Sequence, residues 1–398
     1  MPQLDALRAF AVAAVLLHHF SPELGRASLI DWGFLGVRLF FVLSGFLITG
    51  ILIRAREDAA EAAVSRFGVL RSFYARRFLR IFPLYYFVIV VCLMLNVPPV
   101  RDEWIWLVTY TWNLRISVLG WYPENVAHFW SLAVEEQFYL VWPLVALFAP
   151  RRFLMPTAIS MVLIGMLYRG LAMSYELNEV ALYVLTFSTL DALGAGCALA
   201  LACDGRRPSR SIVRHLASTA LPIGLCAAFV LQWAGSATLA GPYFHVVLFD
   251  TAAALVFCWL VAASAHGFKG VVGRMMNSTP LLYCGRIAYG IYVYHLLLLP
   301  VVDGLLKPLH LGLAGFGWMR LLVGTVISIA VATLSWYALE RPINELKRRF
   351  PYLGRGGLEA DSHVTSALTS ASPPRSASTR RVTRADASAR SRGARRGA

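Results

Sequence analysis

The chain begins with the apolar run LDALRAFAVAAVLLHHF, which spans residues 4–20. A run of this length is close to what one membrane-spanning helix needs. It nevertheless carries four ionisable side chains, Asp5, Arg8, His18 and His19. Ionisable groups in hydrocarbon are costly and usually face a cavity or a partner. The run therefore predicts a membrane helix with a polar, functional face.

Helical geometry separates these side chains. Arg8 and His19 differ by eleven positions, about 20° from three full turns, so they share one face at a distance of roughly 16 Å along the axis. Asp5 precedes Arg8 by three positions, where it can pair with the guanidinium. Because the run has neither a basic leader nor a small-residue cleavage site, we expect a retained helix rather than a signal peptide.

Composition indicates an integral membrane protein. Of the 398 residues, 58% are hydrophobic and 15% are charged, and the mean hydropathy is +0.60. Soluble domains carry about 25% charged residues to cover their surfaces. Apolar runs near twenty residues predict an all-α bundle of about ten transmembrane helices. We place these at 4–20, 33–53, 81–97, 130–149, 153–170, 180–202, 213–233, 244–264, 281–300 and 318–339.

The formal charge of +15 follows the loops rather than forming a nucleic-acid surface. Arginine and lysine concentrate in alternate loops, as the positive-inside rule requires of cytoplasmic ones. The chain is thus expected to be a multi-pass membrane protein with both termini cytoplasmic, lipid as a partner and no nucleic acid. The six cysteines show no CxxC spacing and favour neither a metal nor a disulfide.

The composition changes near residue 345. Residues 1–345 contain the apolar runs and predict one membrane domain, whereas residues 346–398 predict a basic, low-complexity cytoplasmic tail. Beyond Pro351 the tail is rich in Ser, Ala, Arg and Gly and should be disordered. Its arginines could rest on anionic lipid or simply be solvated. The aromatic-rich loop 98–129 predicts either a short interfacial helix or an aromatic belt.

Two stretches place arginine in or beside apolar runs. GVRLFFVLSGFLI, residues 36–48, contains Arg38 and a Ser-Gly step that allows close helix approach. Arg38 could snorkel to the headgroups from there. The basic stretch 71–83, RSFYARRFLRIFP, is explained either by anchoring at the cytoplasmic face or by docking of a phosphorylated cytosolic donor. The arginines expected to form that docking site are Arg76, Arg77 and Arg80.

Carboxylates and a further histidine complete the pattern. The fourth run starts HFWSLAVEEQFYLVWP, and its adjacent Glu135 and Glu136 point about 100° apart, so at most one faces a given cavity. The ninth run, AYGIYVYHLL, contains His295. In the expected topology His19, His295 and a carboxylate lie at one depth near the outer face, with arginines below. That arrangement suits general-base chemistry fed from the cytoplasm.

Together these motifs resemble acyltransferase family 3, the integral membrane O-acyltransferases that acetylate bacterial polysaccharides, peptidoglycan, lipid-linked sugars and macrolides. The resemblance covers roughly residues 3–345. It is carried by the Arg8–His19 spacing and by GVRLFFVLSGFLI, FYARRFLRIFPLYY, FWSLAVEEQFYLVWP and YGIYVYHLLL. Many members have Asp where this chain has Arg38, so no acidic role is carried over there. Some relatives add a hydrolase-like domain, and we expect a stand-alone transferase here.

The resemblance implies a donor, an acceptor and a set of roles. Acetyl-CoA or another acyl-CoA is the expected donor substrate, a hydroxyl of a glycan or other molecule is the acceptor, and no metal is needed. Catalytic roles fall on His19, Glu135 and Glu136. His19 takes the acceptor proton or transiently carries the acyl group, and a glutamate orients or charges it. Residues expected to bind donor or substrate are Arg8, Arg76, Arg77, Arg80, Tyr292 and His295.

Two other classes remain open. A transporter or flippase for lipid-linked sugars also has about ten spans and intramembrane charges. The sequence shows no inverted repeat and no paired broken helices, which disfavours that class. A structural membrane component would leave Glu135 and Glu136 unexplained. Arg8 could also hold a phosphate or shape the channel through Asp5.

Overall fold

The computed structural model describes residues 1–21, 31–237, 241–309 and 313–352, with side chains undescribed at 234–237 and 313–316. Every regular element in these ranges is helical, which confirms the all-α prediction. The predicted tail beyond residue 352 lies outside the described residues. The helices are α1 Pro2–Phe20, α2 Trp32–Glu61, α3 Arg66–Met94, α4 Pro98–Val108, α5 Trp112–Leu119, α6 Phe129–Phe148, α7 Arg151–Ser174, α8 Glu179–Val184, α9 Thr186–Ala202, α10 Arg210–Ser218, α11 Ala220–Ala237, α12 Gly241–His266, α13 Gly270–Met276, α14 Thr279–Arg286, α15 Ala288–Leu306, α16 Leu313–Ser335 and α17 Arg341–Glu345.

All ten predicted spans fall on helices, but three of them are each divided between two successive helices: 180–202 between α8 and α9, 213–233 between α10 and α11, and 281–300 between α14 and α15. Within the described ranges nine helical segments are long and apolar enough to cross a membrane, and α1 is not among these nine. Asp5, Arg8, His18 and His19 lower the mean hydropathy of α1. Many residues of this helix are nevertheless buried. The protein is therefore a multi-pass membrane protein whose first helix belongs to the core of the bundle.

The third span starts earlier than the sequence predicts, and the aromatic-rich loop that follows it contains helical structure. The third helix begins at Arg66, so the basic stretch 71–83 is helical and continuous with the span that follows it. The aromatic-rich loop 98–129 contains two short helices, α4 and α5, where one of the two interpretations expected a single short interfacial helix. Its aromatic residues divide between core and surface: Trp112 is buried, while Trp104 is 48% exposed.

Glycines let α1 lie against its neighbours at backbone distance. A Cβ at Gly36 of α2 would overlap the carbonyl oxygen of Ala11, and one at Gly285 of α14 would overlap that of Asp5. Small residues at helix interfaces allow such approach in a membrane, where packing rather than the hydrophobic effect drives association. Most of α1 is consequently buried, although Phe10 remains 41% exposed.

The Ser-Gly step of α2 contacts α9 as predicted. A Cβ at Gly45 would overlap the carbonyl oxygen of Leu193, and one at Gly196 would overlap that of Val42. The two glycines thus face each other's helix and bring the two backbones together. This contact fixes the position of α2, in which Ser44 directly precedes Gly45 and Arg38 lies about two turns earlier.

We expect Gly45→Ala to lower the free energy of unfolding by about 1–3 kcal/mol, because the added methyl meets backbone that cannot move alone. Gly304→Ala is the matched control, since nothing lies within 4 Å of a Cβ there. Replacing a helical glycine without a clash should be neutral or stabilising by up to about 1 kcal/mol. Thermal unfolding in detergent compares the two variants. Equal melting temperatures would contradict the close α2–α9 contact.

Arg38 does not snorkel, and that alternative is wrong. Its side chain is fully buried and donates to Asp191 of α9 at 3.0 Å and, more closely, to Asp250 of α12. Arg169 of α7 lies 2.8 Å from Asp191 and 3.4 Å from Asp250, and it is also fully buried. Two arginines and two aspartates from four helices thus form a neutral charge cluster. Paired groups can stay charged inside the bundle, which removes the reason for Arg38 to reach the headgroups.

Candidate active site

An arginine cavity opens beside the middle of α1. It has a volume of about 120 Å³ and is lined by residues of α1, α2, α3, α6, α14 and α15. Three guanidinium groups contribute to its wall, those of Arg8, Arg77 and Arg80, opposite the single carboxylate of Glu135. Arg8 also pairs with Asp5 three positions earlier, as the sequence predicted. Guanidinium forks suit phosphate, so a cavity of this composition can hold an anionic ligand.

Glu135 is held by two hydroxyl groups inside this cavity. It accepts a hydrogen bond from Ser44 Oγ at 2.8 Å and another from the Tyr139 hydroxyl at 3.1 Å. The guanidinium carbon of Arg77 lies 5.1 Å from the centre of the Tyr139 ring. The carboxylate therefore orients Ser44 and Tyr139 against the arginine-lined space.

The Glu-Glu-Gln stretch divides as its helical spacing predicts. Glu135 lines the arginine cavity, whereas Glu136 does not. The buried Oε1 atom of Glu136 has no hydrogen-bond partner among the described residues. Gln137 donates to the Tyr110 carbonyl and to Asn113 Oδ1, both at 2.9 Å. Of the two predicted catalytic glutamates, Glu135 is thus the one that lines the arginine cavity.

Arg76 does not share the position of its neighbours. Its guanidinium donates to the carbonyl oxygens of Lys347 and Phe350, each at 3.2 Å, and it is absent from the wall of the arginine cavity. Of the three arginines predicted to dock a phosphorylated donor, the structure brings Arg77 and Arg80 together with Arg8. Arg76 ties α3 to the segment after α17.

A larger histidine cavity, of about 630 Å³, surrounds the end of α1. Its wall includes His18, His19 and His128, together with aromatic and acidic side chains. Val37 and Tyr292 line both cavities, so the two spaces share a wall. Arg8 and His19 accordingly belong to different cavities of one helix face, which agrees with their predicted axial separation.

A cluster of three imidazole rings lies at the wall of the histidine cavity, where His19 and His128 line the space and His295 is buried behind them. His19 Nδ1 lies 3.1 Å from His295 Nε2, across 276 positions of sequence. His295 Nδ1 lies 2.6 Å from the Tyr292 carbonyl oxygen. The His128 ring centre is 4.7 Å from that of His295. His18 points elsewhere and lies 3.2 Å from Asp31 at the exposed side of the cavity.

His128 is the functional candidate to which sequence reasoning assigned no role. Its Nε2 lies 3.0 Å from the Val293 carbonyl oxygen, and its buried Nδ1 has no hydrogen-bond partner among the described residues. Burial lowers the pKa of His128, which stands just before α6, and thereby favours the uncharged ring. The sequence indicated this residue only through its position directly before the FWSLAVEEQF stretch, which contains Glu135 and Glu136.

The expected common depth of glutamate and histidines is not found. No hydrogen bond or ion pair joins Glu135 or Glu136 to His19 within the described chain. Glu135 follows His128 by seven residues, which is about 10 Å along the axis of α6. Its side chain therefore lines the arginine cavity and not the histidine cavity. Tyr292 connects the two levels, since its hydroxyl lies 2.6 Å from Ser131 Oγ and it lines both cavities.

Comparison with known proteins adds a family match. The model of a family described as an acyltransferase domain matches residues 1–339. The protein YrhL of Bacillus subtilis is 28% identical over 369 residues, which are 86% of this chain and 55% of the relative. The O-acetyltransferase OatA of Staphylococcus aureus is 28% identical over 323 residues, 74% of this chain and 50% of the relative.

A further relative is the peptidoglycan O-acetyltransferase OatA of Listeria monocytogenes, 27% identical over 372 residues, 87% of this chain and 56% of the relative. The chain thus spans about half the length of the curated relatives it matches. No solved structure shows a significant match.

Proposed function

Because the chain belongs to acyltransferase family 3, we propose that it is a membrane O-acyltransferase that moves an acyl group, in the first place acetyl, from cytosolic acyl-CoA to a hydroxyl group. The acceptor we propose is a glycan or another glycosylated molecule. The observation that carries the proposal is the shared wall of the two cavities, at Val37 and Tyr292. An arginine-lined space and a histidine-lined space thereby lie next to each other inside one bundle.

The arginine cavity is the proposed donor site. Acyl-CoA carries phosphates, and Arg8, Arg77 and Arg80 offer guanidinium groups that bind phosphate in a forked geometry. The arginine-rich loops at this end of the bundle support a cytoplasmic orientation for it, on the side where acyl-CoA is found. We accordingly propose a location in the bacterial cytoplasmic membrane with both termini on the cytoplasmic side. The narrow arm of the donor then points along α1 toward the histidines.

The histidine cavity is the proposed acceptor site. His19 accepts the proton of the acceptor hydroxyl as its oxygen attacks the thioester carbonyl carbon. The carbon–sulfur bond breaks, CoA leaves as the thiolate, and the proton held by His19 passes to that thiolate, giving the CoA thiol, or to solvent. A covalent route, in which His19 carries the acyl group between the two substrates, uses the same position.

The test uses purified protein in lipid vesicles, acetyl-CoA labelled in the acetyl group, and a glycan acceptor. The relatives named for peptidoglycan make peptidoglycan fragments the first acceptor to supply. We expect label to appear in the glycan. A transporter or flippase would leave the label on CoA, which would contradict the proposal. Mass spectrometry of surface glycans from cells with and without the protein then identifies the natural acceptor.

We expect Glu135→Gln to lower kcat/KM for acyl-CoA by about tenfold or more, since hydrogen bonds to a charged group contribute roughly 1.5–3 kcal/mol. The charge that orients Ser44 and Tyr139 is lost in this variant. Glu136→Gln is the matched control and should stay within about threefold of the native value, because Glu136 lines neither cavity. Steady-state rates at varied acyl-CoA concentration measure both. A larger loss for Glu136→Gln would contradict the assignment of Glu135.

A further inference from the structure

The hydrogen bond at His295 determines which of its nitrogens carries the proton. A backbone carbonyl oxygen only accepts hydrogen bonds. The nitrogen 2.6 Å from the Tyr292 carbonyl oxygen, His295 Nδ1, must therefore donate. In a neutral imidazole the other nitrogen is then an acceptor. His295 Nε2 consequently presents a lone pair to its next neighbour.

That neighbour is His19. The distance of 3.1 Å between His295 Nε2 and His19 Nδ1 is a hydrogen bond, and since His295 Nε2 accepts, His19 Nδ1 donates. The proton of a neutral His19 is thereby held on Nδ1. His19 Nε2 is left with a free lone pair on a ring that lines the histidine cavity. This is the nitrogen that can take a proton from an acceptor hydroxyl.

Packing holds the His295 ring in this orientation. The side chain is fully buried, with the His128 ring centre at 4.7 Å and the Phe20 ring centre at 6.4 Å, both edge-on. Among the described residues, no carboxylate makes a hydrogen bond or ion pair with His19 or His295. The place that an aspartate occupies in a Ser-His-Asp triad is taken here by a neutral imidazole backed by a carbonyl group.

We propose that His295 is a positioning residue that fixes His19 in the tautomer protonated on Nδ1, with Nε2 free to act as the general base. This role rests on the proposed acyl transfer and differs from the substrate-binding role that the sequence suggested. His295 contacts neither the donor nor the acceptor in this arrangement. It acts only through His19, by accepting one hydrogen bond and donating another to the backbone.

Two amide substitutions separate the positioning role from mere packing. The side-chain amide of Asn occupies the position of Nδ1, two bonds from Cβ, and that of Gln reaches the position of Nε2. His295→Gln can accept the hydrogen bond from His19, whereas His295→Asn can only reach the Tyr292 carbonyl. We expect His295→Gln to keep kcat within about tenfold of the native value. His295→Asn should lower kcat by about 100-fold with KM for acyl-CoA unchanged, as for loss of a general base.

The labelled transfer assay in vesicles measures native protein, His295→Gln, His295→Asn and His19→Ala together. An inactive native protein would overturn the proposed function and this role with it. If the native protein is active and the Asn variant equals or exceeds the Gln variant, the positioning role alone is overturned.

A spectroscopic measurement on the native protein is independent of whether the variants fold. In protein labelled with ¹⁵N-histidine, the ring nitrogen shifts of His19, assigned by their absence in His19→Ala, report which nitrogen is protonated. We expect the proton on Nδ1. A proton on Nε2 would overturn the proposal.

Discussion

His19→Ala is expected to reduce acyl transfer by about 10²–10⁴-fold, the contribution usually made by a positioned general base. The ring lines the histidine cavity and carries the hydrogen bond to His295. Removing it leaves the three arginines of the other cavity in place, so binding of acyl-CoA should be unchanged. The measurement is transfer of label from acetyl-CoA to glycan in vesicles, with donor affinity determined separately by equilibrium binding.

His18→Ala is the matched control for this loss. The two residues are adjacent and of the same type, and both line the histidine cavity. His18, however, interacts with Asp31 at 3.2 Å through a side chain that is 40% exposed, and it makes no contact with His295 that would hold its tautomer. We expect its substitution to change the rate by less than about tenfold. Native activity in His19→Ala, or an equal loss in both variants, would show that His19 is not the base.

Arg38→Met is expected to destabilise the protein by about 3–5 kcal/mol, the effect of removing one partner from a buried ion pair. Asp191 and Asp250 are both buried and would be left with Arg169 as their shared cation. Because both carboxylates are buried, bulk solvent does not screen the excess negative charge. Unfolding of the purified protein in mixed detergent micelles measures the loss.

The double variant Arg38→Met with Asp250→Leu is the control for this prediction. It removes one charge of each sign and leaves the Arg169–Asp191 pair, at 2.8 Å, intact. Apolar groups of similar volume often replace a buried ion pair at little cost in stability. We therefore expect the double variant to regain most of the stability that Arg38→Met loses. If the double variant is the less stable of the two, the four charges do not act as one balanced cluster.

Local helical geometry explains why part of the site was predictable from sequence. The pairing of Asp5 with Arg8, the axial distance between Arg8 and His19, and the division of Glu135 from Glu136 all depend on the angle and rise per residue of one helix. These quantities hold wherever the helix is packed. The apolar runs likewise set the number and order of the spans, because the thickness of the bilayer dictates their length.

Lateral packing decided what sequence reasoning could not. Whether Arg38 reaches the headgroups or Asp191 and Asp250 depends on which helices touch α2, and hydropathy does not record this, since lipid and helix surface are similarly apolar. The same is true of Arg76, which turns to the carbonyls after α17 although it is next to Arg77 in sequence.

The opening helix shows both contributions. Its sequence alone determined that it would be a membrane-buried helix with Arg8 and His19 at different depths of one face. Only the tertiary structure decided that His19 meets His295, 276 positions away, and that Glu135 lies with the arginines instead. The physical reason is that a hydrogen bond between helices needs two side chains at the same height on facing sides. The sequence of one helix does not specify its height or its rotation relative to a neighbouring helix.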